Sequence, residues 1–114
     1  MKLPVVLQSN STECGIACIT MIANAHGRNC SIGQIRRDLG YARMGTSLRT
    51  LIDLARDVQL HARAVRLEPE EAGALRTPCV LLWGTQHFVV LKRISRRGWH
   101  LHDPAAGVRF YRNA

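Results

Sequence analysis

The sequence predicts an α+β domain, with helices in the N-terminal half and an antiparallel sheet in the C-terminal half. Three observations predict it. From Cys14 to Ala25 there is no Asp, Glu, Lys or Arg, although 21% of the chain is charged. A helix of that composition is buried nearly all round and serves as the element that others pack against. Two further helical patterns follow it. The second half then changes to short apolar runs separated by turn residues, the mark of hairpin-linked strands.

Met1 to Leu7 reads as an extended lead-in. Ser11 and Thr12 are good N-cap residues, so the first helix starts at Glu13 or Cys14 and runs to Ala25, with Gly27 as its C′ residue. Ser31 followed by Gln34 resembles a capping box and predicts a second helix over Ile32 to Leu39, ended by Gly40. Gly45-Thr46-Ser47 forms a loop and cap before a third helix, with Leu48, Leu51, Ile52, Ala55 and Val58 as its apolar stripe. Alternation from Leu60 to Val65 predicts a strand. Glu68-Pro69-Glu70-Glu71 starts a short helix that reaches Leu75. Strands follow at Cys79–Trp83, His87–Arg93, Trp99–His102 and Val108–Tyr111, with turns at Gly84-Thr85-Gln86, at Ser95-Arg96-Arg97-Gly98 and after Asp103-Pro104.

At 114 residues the chain is long enough for one domain with a single core. Its formal charge is +8, carried mostly by Arg. The basic residues are scattered and the few aromatics are not interleaved with them, which argues against a nucleic-acid module. An acidic peptide or an anionic surface suits that charge better. Cys14, Cys18, Cys30 and Cys79 lack the spacing of a secreted disulfide scaffold, so a reducing compartment is expected. Leu3 to Leu7 is too short for a signal peptide and contains Pro4. No apolar run approaches the roughly 20 residues that span a bilayer, so a soluble chain is expected.

The stretch Gln8-Ser9-Asn10-Ser11-Thr12-Glu13-Cys14-Gly15 carries the chemistry. A thiol at a helix start faces unpaired backbone N–H groups and the positive end of the helix dipole, and both favour the thiolate. Cys18, one turn further in, fits the ordinary role of a small buried hydrophobe. A sulfur nucleophile needs a base within hydrogen-bond reach, and the base needs an orienting partner. His87 opens one strand and Asp103 ends a later one, so the pair can share one end of the sheet. Gln8 and the Cys14 N–H can supply the donors that an oxyanion needs. Alternatives exist at each position. His87 also fits a core-edge histidine, and Asp103 before Pro104 also fits a turn residue. His100 and His102 compete as the base, on a strand face expected to be exposed. His26 and His61 read as solvated. Zinc is the competing use of four Cys and five His, but no paired ligand spacing is present.

Gln8-x₄-Glu13-Cys14-Gly15-x-Ala17-Cys18 resembles the signature of the peptidase C39 family, the papain-like cysteine protease domains of bacterial peptide and bacteriocin ABC exporters. The resemblance continues through Gly45-Thr46-Ser47, Ala64-Val65-Arg66-Leu67, Pro78-Cys79-Val80-Leu81, Trp83, His87-Phe88-Val89-Val90-Leu91 and His102-Asp103-Pro104-Ala105, and covers nearly the whole chain. It implies a papain-like fold with the nucleophile helix packed on the sheet. It implies Cys14 as nucleophile, His87 as base, Asp103 as orienting acid and Gln8 as oxyanion amide. It further implies removal of a Gly-Gly leader from an exported precursor at the cytoplasmic face of the bacterial inner membrane. No cofactor is implied for this domain, ATP serving only the rest of the exporter. The partners implied are the leader peptide and the exporter's transmembrane and ATPase domains, with no nucleic acid. The natural polypeptide is expected to continue past Ala114 into those domains. A degenerate branch of the family lacks the cysteine and only docks its substrate. Cys14 argues against that branch. Two positions depart from the pattern: Gly84 stands where the family usually has an acid, and Gln86 where it often has Asn.

Overall fold

The computed structural model describes residues 2–9, 12–39, 47–84 and 87–112. Helix α1 spans Cys14–Ala25, α2 Ile32–Leu39 and α3 Leu48–Asp57. A 3-10 helix at Pro69–Ala74 precedes strands β1 (Cys79–Trp83), β2 (His87–Ile94), β3 (Gly98–Asp103) and β4 (Gly107–Arg112). The strands form an antiparallel sheet in the order β1-β2-β3-β4. Ser11, Gly40, Gly45, Thr46, Thr85 and Gln86, which the sequence places in caps and turns, lie outside the described residues.

Helix α1 is the centre of the fold because nothing along it needs water. Every residue from Cys14 to Ala23 is buried. Its one hydroxyl, on Thr20, donates to the Ile16 carbonyl at 2.8 Å, so no polar group is stranded. Ile16 and Met21 are wholly inaccessible and pack with Leu54 of α3, Ile35 of α2 and Phe88 and Val90 of β2. Each such side chain contributes about 1.5–3 kcal/mol by leaving water. The helix ends as its sequence dictates. Gly27 takes φ +84, its N–H reaches the Asn24 carbonyl, and the Arg28 N–H reaches the Ala23 carbonyl, which closes a Schellman motif. The Asn24 side chain then pairs with both the N–H and the C=O of Cys30, pinning the loop that leads to α2.

Period-two alternation divides the sheet. Phe88 and Val90 face α1, while Val89 and Leu91 join Leu101, Trp83 and Trp99 on the opposite side. The β2–β3 register shifts between Leu91 and Arg93. Gly98 is needed for space: a Cβ there would lie 2.1 Å from the Tyr111 carbonyl oxygen of β4.

Several expectations need correction. No strand forms over Leu60 to Val65. Leu60 and Ala62 do pack on the core, so the alternation reports the partly buried side chains of a segment that joins no strand among the described residues. The stripe of α3 is rotated: Leu48 is exposed, and the buried residues are Leu51, Leu54 and Ala55. The short helix after Pro69 is 3-10 and ends at Ala74, with reciprocal bonds between Glu68 and Glu71 at its start. The N-cap position of α1 is Glu13, not Thr12. The face of β3 that holds His100 and His102 is not exposed, because His102 is buried beneath the lead-in.

Candidate active site

The β2–β3 hairpin turns at Ser95–Gly98, so the start of β2 and the end of β3 share one end of the sheet. There His87 Nε2 lies 2.7 Å from Asp103 Oδ1. A carboxylate only accepts, so Nε2 carries the hydrogen; in the neutral ring Nδ1 then keeps its lone pair. Asp103 is itself held: Oδ1 also accepts the Ala105 N–H at 2.9 Å, an Asx turn that the following Pro104 favours. The His87 side chain is a third exposed and that of Asp103 is mostly covered, so the pair sits at the rim of the core.

The lead-in is tied to the same corner. The Gln8 N–H donates to the Pro104 carbonyl at 2.9 Å, and the Gln8 side-chain oxygen is buried. Cys14 opens α1 and is 7% exposed. Helix α1 packs on β2, the strand that His87 begins. Cys18 reports the approach of these elements. Its thiol is pushed well above the ordinary value by burial first, then by the nearby Cys14 and Asp103. Helix α1 thus brings Cys18 within electrostatic range of Asp103. Of the four predicted residues, His87 and Asp103 are bonded to each other, Gln8 is bonded to Pro104 beside them, and Cys14 heads the helix packed on β2. Among the described residues no disulfide joins Cys14, Cys18, Cys30 or Cys79. No three His, Cys, Asp or Glu side chains among those residues are grouped as a metal site requires.

The competing histidines have other work. His102 Nδ1 donates to the Pro4 carbonyl at 3.2 Å, and burial keeps this ring from protonating at its ordinary pH. His100 Nε2 lies 3.0 Å from the Ser95 hydroxyl, and its ring packs on Phe110. Two residues of this corner were missed by sequence reasoning. Glu13 is wholly buried next to Cys14, and its carboxylate meets Arg36 of α2 and the Ser9 N–H. No spacing rule connects positions 13 and 36. The only signal was an acid placed against an otherwise uncharged helix.

The sequence model of the Peptidase C39 family matches residues 2–114. The chain belongs to the peptidase C39 family. Its relatives include the colicin V secretion/processing ATP-binding protein CvaB of Escherichia coli, 38% identical over 109 residues. That match takes in 96% of this chain and 16% of the relative, so the chain spans about a sixth of that protein's length. Among solved structures, a double-glycine motif protease from an AMS/PCAT transporter, in complex with the leader peptide, superposes with a TM-score of 0.88 at 32% identity. The match covers 97% of this chain and 80% of that one. The peptidase domain of Streptococcus ComA, a bi-functional ABC transporter, shares the fold with a TM-score of 0.83 at 20% identity, over 97% of this chain and 87% of that one.

The C39 chain described here is thus a cysteine-peptidase domain of α+β architecture, with the helix that Cys14 opens packed on an antiparallel sheet. Of the two departures from the C39 pattern, Gly84 takes φ +77 directly after β1, a backbone conformation that glycine adopts without strain. Gln86 lies outside the described residues. Among the described residues no helix is long and apolar enough to cross a membrane.

Proposed function

We propose that this domain is the processing peptidase of a bacterial ABC exporter, a cysteine endopeptidase that cuts after the Gly-Gly pair ending a precursor's leader. The observation that carries the reading is the His87–Asp103 pair, tied through Pro104 to Gln8, beside the helix that Cys14 opens. In this reading His87 takes the Cys14 proton on Nδ1 while Nε2–H stays on Asp103. The sulfur attacks the carbonyl of the second glycine, and the oxygen that becomes negative is held by the Gln8 amide and the Cys14 N–H. His87 then gives the proton to the leaving amine, which frees the mature peptide. Water, deprotonated by His87, releases the leader from sulfur. No cofactor takes part. Glycine suits the cleavage site because it has no Cβ to collide with a crevice beside a buried helix. The substrate is a bacteriocin-like or other exported precursor. The domain works at the cytoplasmic face of the membrane, joined to the exporter's transmembrane and ATPase domains.

Incubation with a synthetic double-glycine precursor tests this by mass. Leader and mature peptide should appear with the intact domain and vanish with Cys14→Ala or His87→Ala. Continued cutting by Cys14→Ala would refute the nucleophile assignment. Tight binding of the precursor without any cutting would make the domain a docking module instead.

A further inference from the structure

We propose that Glu13 and Arg36 are positioning residues that fix Ser9 against Glu13, and with them the neighbouring Gln8 and Cys14, in the reactive arrangement, an inference that rests on the peptidase reading above. Glu13 is wholly inaccessible, and both its oxygens are engaged. Oε1 accepts the Ser9 N–H at 2.8 Å, and Oε2 accepts Arg36 Nε at 2.5 Å. Arg36 Nη2 also reaches the Ser9 hydroxyl at 3.3 Å. Ser9 is therefore held at its backbone and at its side chain by one ion pair. Ser9 follows Gln8 directly, and Glu13 precedes Cys14 directly. The clasp thus shares peptide units with the residue proposed to bind the oxyanion and with the proposed nucleophile. On the other side of Ser9, the Gln8 N–H is tied to the Pro104 carbonyl, next to Asp103.

Stability alone is a poor reason for this pair. Taking the Glu13 carboxylate out of water is costly, its partner Arg36 stays about a third exposed, and an apolar residue at position 13 would often serve the core as well or better. An apolar pair could not hold Ser9 at two points. The guanidinium of α2 instead fixes the spacing between two groups that must converge on one carbonyl, although neither Glu13 nor Arg36 touches it. Geometry errors of about 1 Å at such a site cost on the order of a hundredfold in rate.

The test compares Arg36→Ala, Arg36→Lys and the neutral pair Glu13→Gln/Arg36→Met with the parent domain. The double variant avoids leaving a buried charge alone, should Arg36→Ala fold poorly. Arg37→Ala, on the exposed side of α2, is the control. Three quantities are read: kcat and KM on a double-glycine precursor, inhibition by a leader peptide ending in Gly-glycinal, and alkylation of Cys14 by iodoacetamide, followed by mass. The aldehyde forms a thiohemiacetal: sulfur bonds to carbon, the C=O double bond opens, and the former carbonyl oxygen, at the oxyanion position, takes up the thiol proton. Alkylation needs the thiolate but not that position. Arg36→Ala and the double variant should lose about 10- to 100-fold in kcat, with KM within about twofold. They should weaken aldehyde inhibition in parallel and leave alkylation within about twofold. Arg36→Lys, which keeps the charge but not the fork, should fall between. Rates within about twofold of the parent would overturn the proposal, as would a joint fall of kcat, binding, alkylation and melting temperature. A parent domain that neither cuts the precursor nor takes the aldehyde overturns the peptidase reading together with this one. An active parent indifferent to the substitutions overturns this one alone.

Discussion

At the scale of single residues, the Asp103 carboxylate shows how little of a site a residue type specifies. Its oxygen serves His87 and the Ala105 N–H at once. This leads to an unequal prediction. Asp103→Asn should keep its carbonyl oxygen on His87, because turning the amide over would set an N–H against the Ala105 N–H. Steady-state cleavage by Asp103→Asn should stay within about tenfold of the parent, and Asp103→Ala should fall by about a hundredfold or more. Equal losses would show that charge, rather than orientation, is what His87 needs. His102 and Glu13 govern acid stability. Burial and the nearby Lys92 hold the His102 ring below its ordinary pKa, outweighing its bond to Pro4. The folded state therefore binds that proton less readily than the unfolded chain. The stability this contributes is complete above about pH 6.5 and is lost as pH falls through the lower folded value. Glu13 has the same sign one step lower. The Arg36 hydrogen bond holds its carboxyl below the usual range despite burial, so its contribution is lost only in stronger acid. Melting temperatures recorded from pH 7.5 to 5.5 should decline, and His102→Gln should flatten that decline.

Among the elements, α1 and α3 end in the same way with different residues. Gly27 closes α1 at φ +84, whereas Gln59 closes α3 at φ 65. Both helices finish in Schellman pairs, the second through Leu60 N–H to Ala55 O and Gln59 N–H to Arg56 O. A side chain in that conformation is strained and glycine is not, so Gln59→Gly should raise stability by about 0.5–1 kcal/mol in urea unfolding. A loss instead would mean that the Gln59 side chain makes a contact worth more than the strain. Cys18 tests the core role of α1. It is fully buried and its thiol is held neutral by that burial. Cys18→Ala should cost about 1–2 kcal/mol and leave cleavage unchanged. Loss of cleavage at full folding would give Cys18 a part in the chemistry.

For the whole molecule, charge is the property that acts at a distance. With +8 spread over a small domain, an acidic leader should be drawn in more strongly at low salt. Raising ionic strength from about 0.02 to 0.3 M should raise KM for an acidic-leader precursor several-fold and leave kcat nearly unchanged. A KM that does not move would leave recognition to apolar contacts and the Gly-Gly pair.

The sequence by itself determined the α+β order, the three helices, the four strands to within two residues and the family. Those follow from local signals: an uncharged helical run, capping residues, alternation and turn glycines. It also singled out Cys14 by its place at a helix start, let His87 and Asp103 share one end of the sheet through a hairpin, and named these three with Gln8 through the family resemblance. Tertiary structure alone decided what each polar side chain touches. Alternation at Leu60 to Val65 suits a strand but cannot supply a neighbour for it to pair with. His102 sits in a strand pattern that suits either face, and only the lead-in laid over β3 buries it. Glu13 and Arg36 stand on separate elements, and no periodicity links them. Their meeting follows from how α2 packs against the head of α1, because burying a carboxylate is tolerable only where another element brings it a cation.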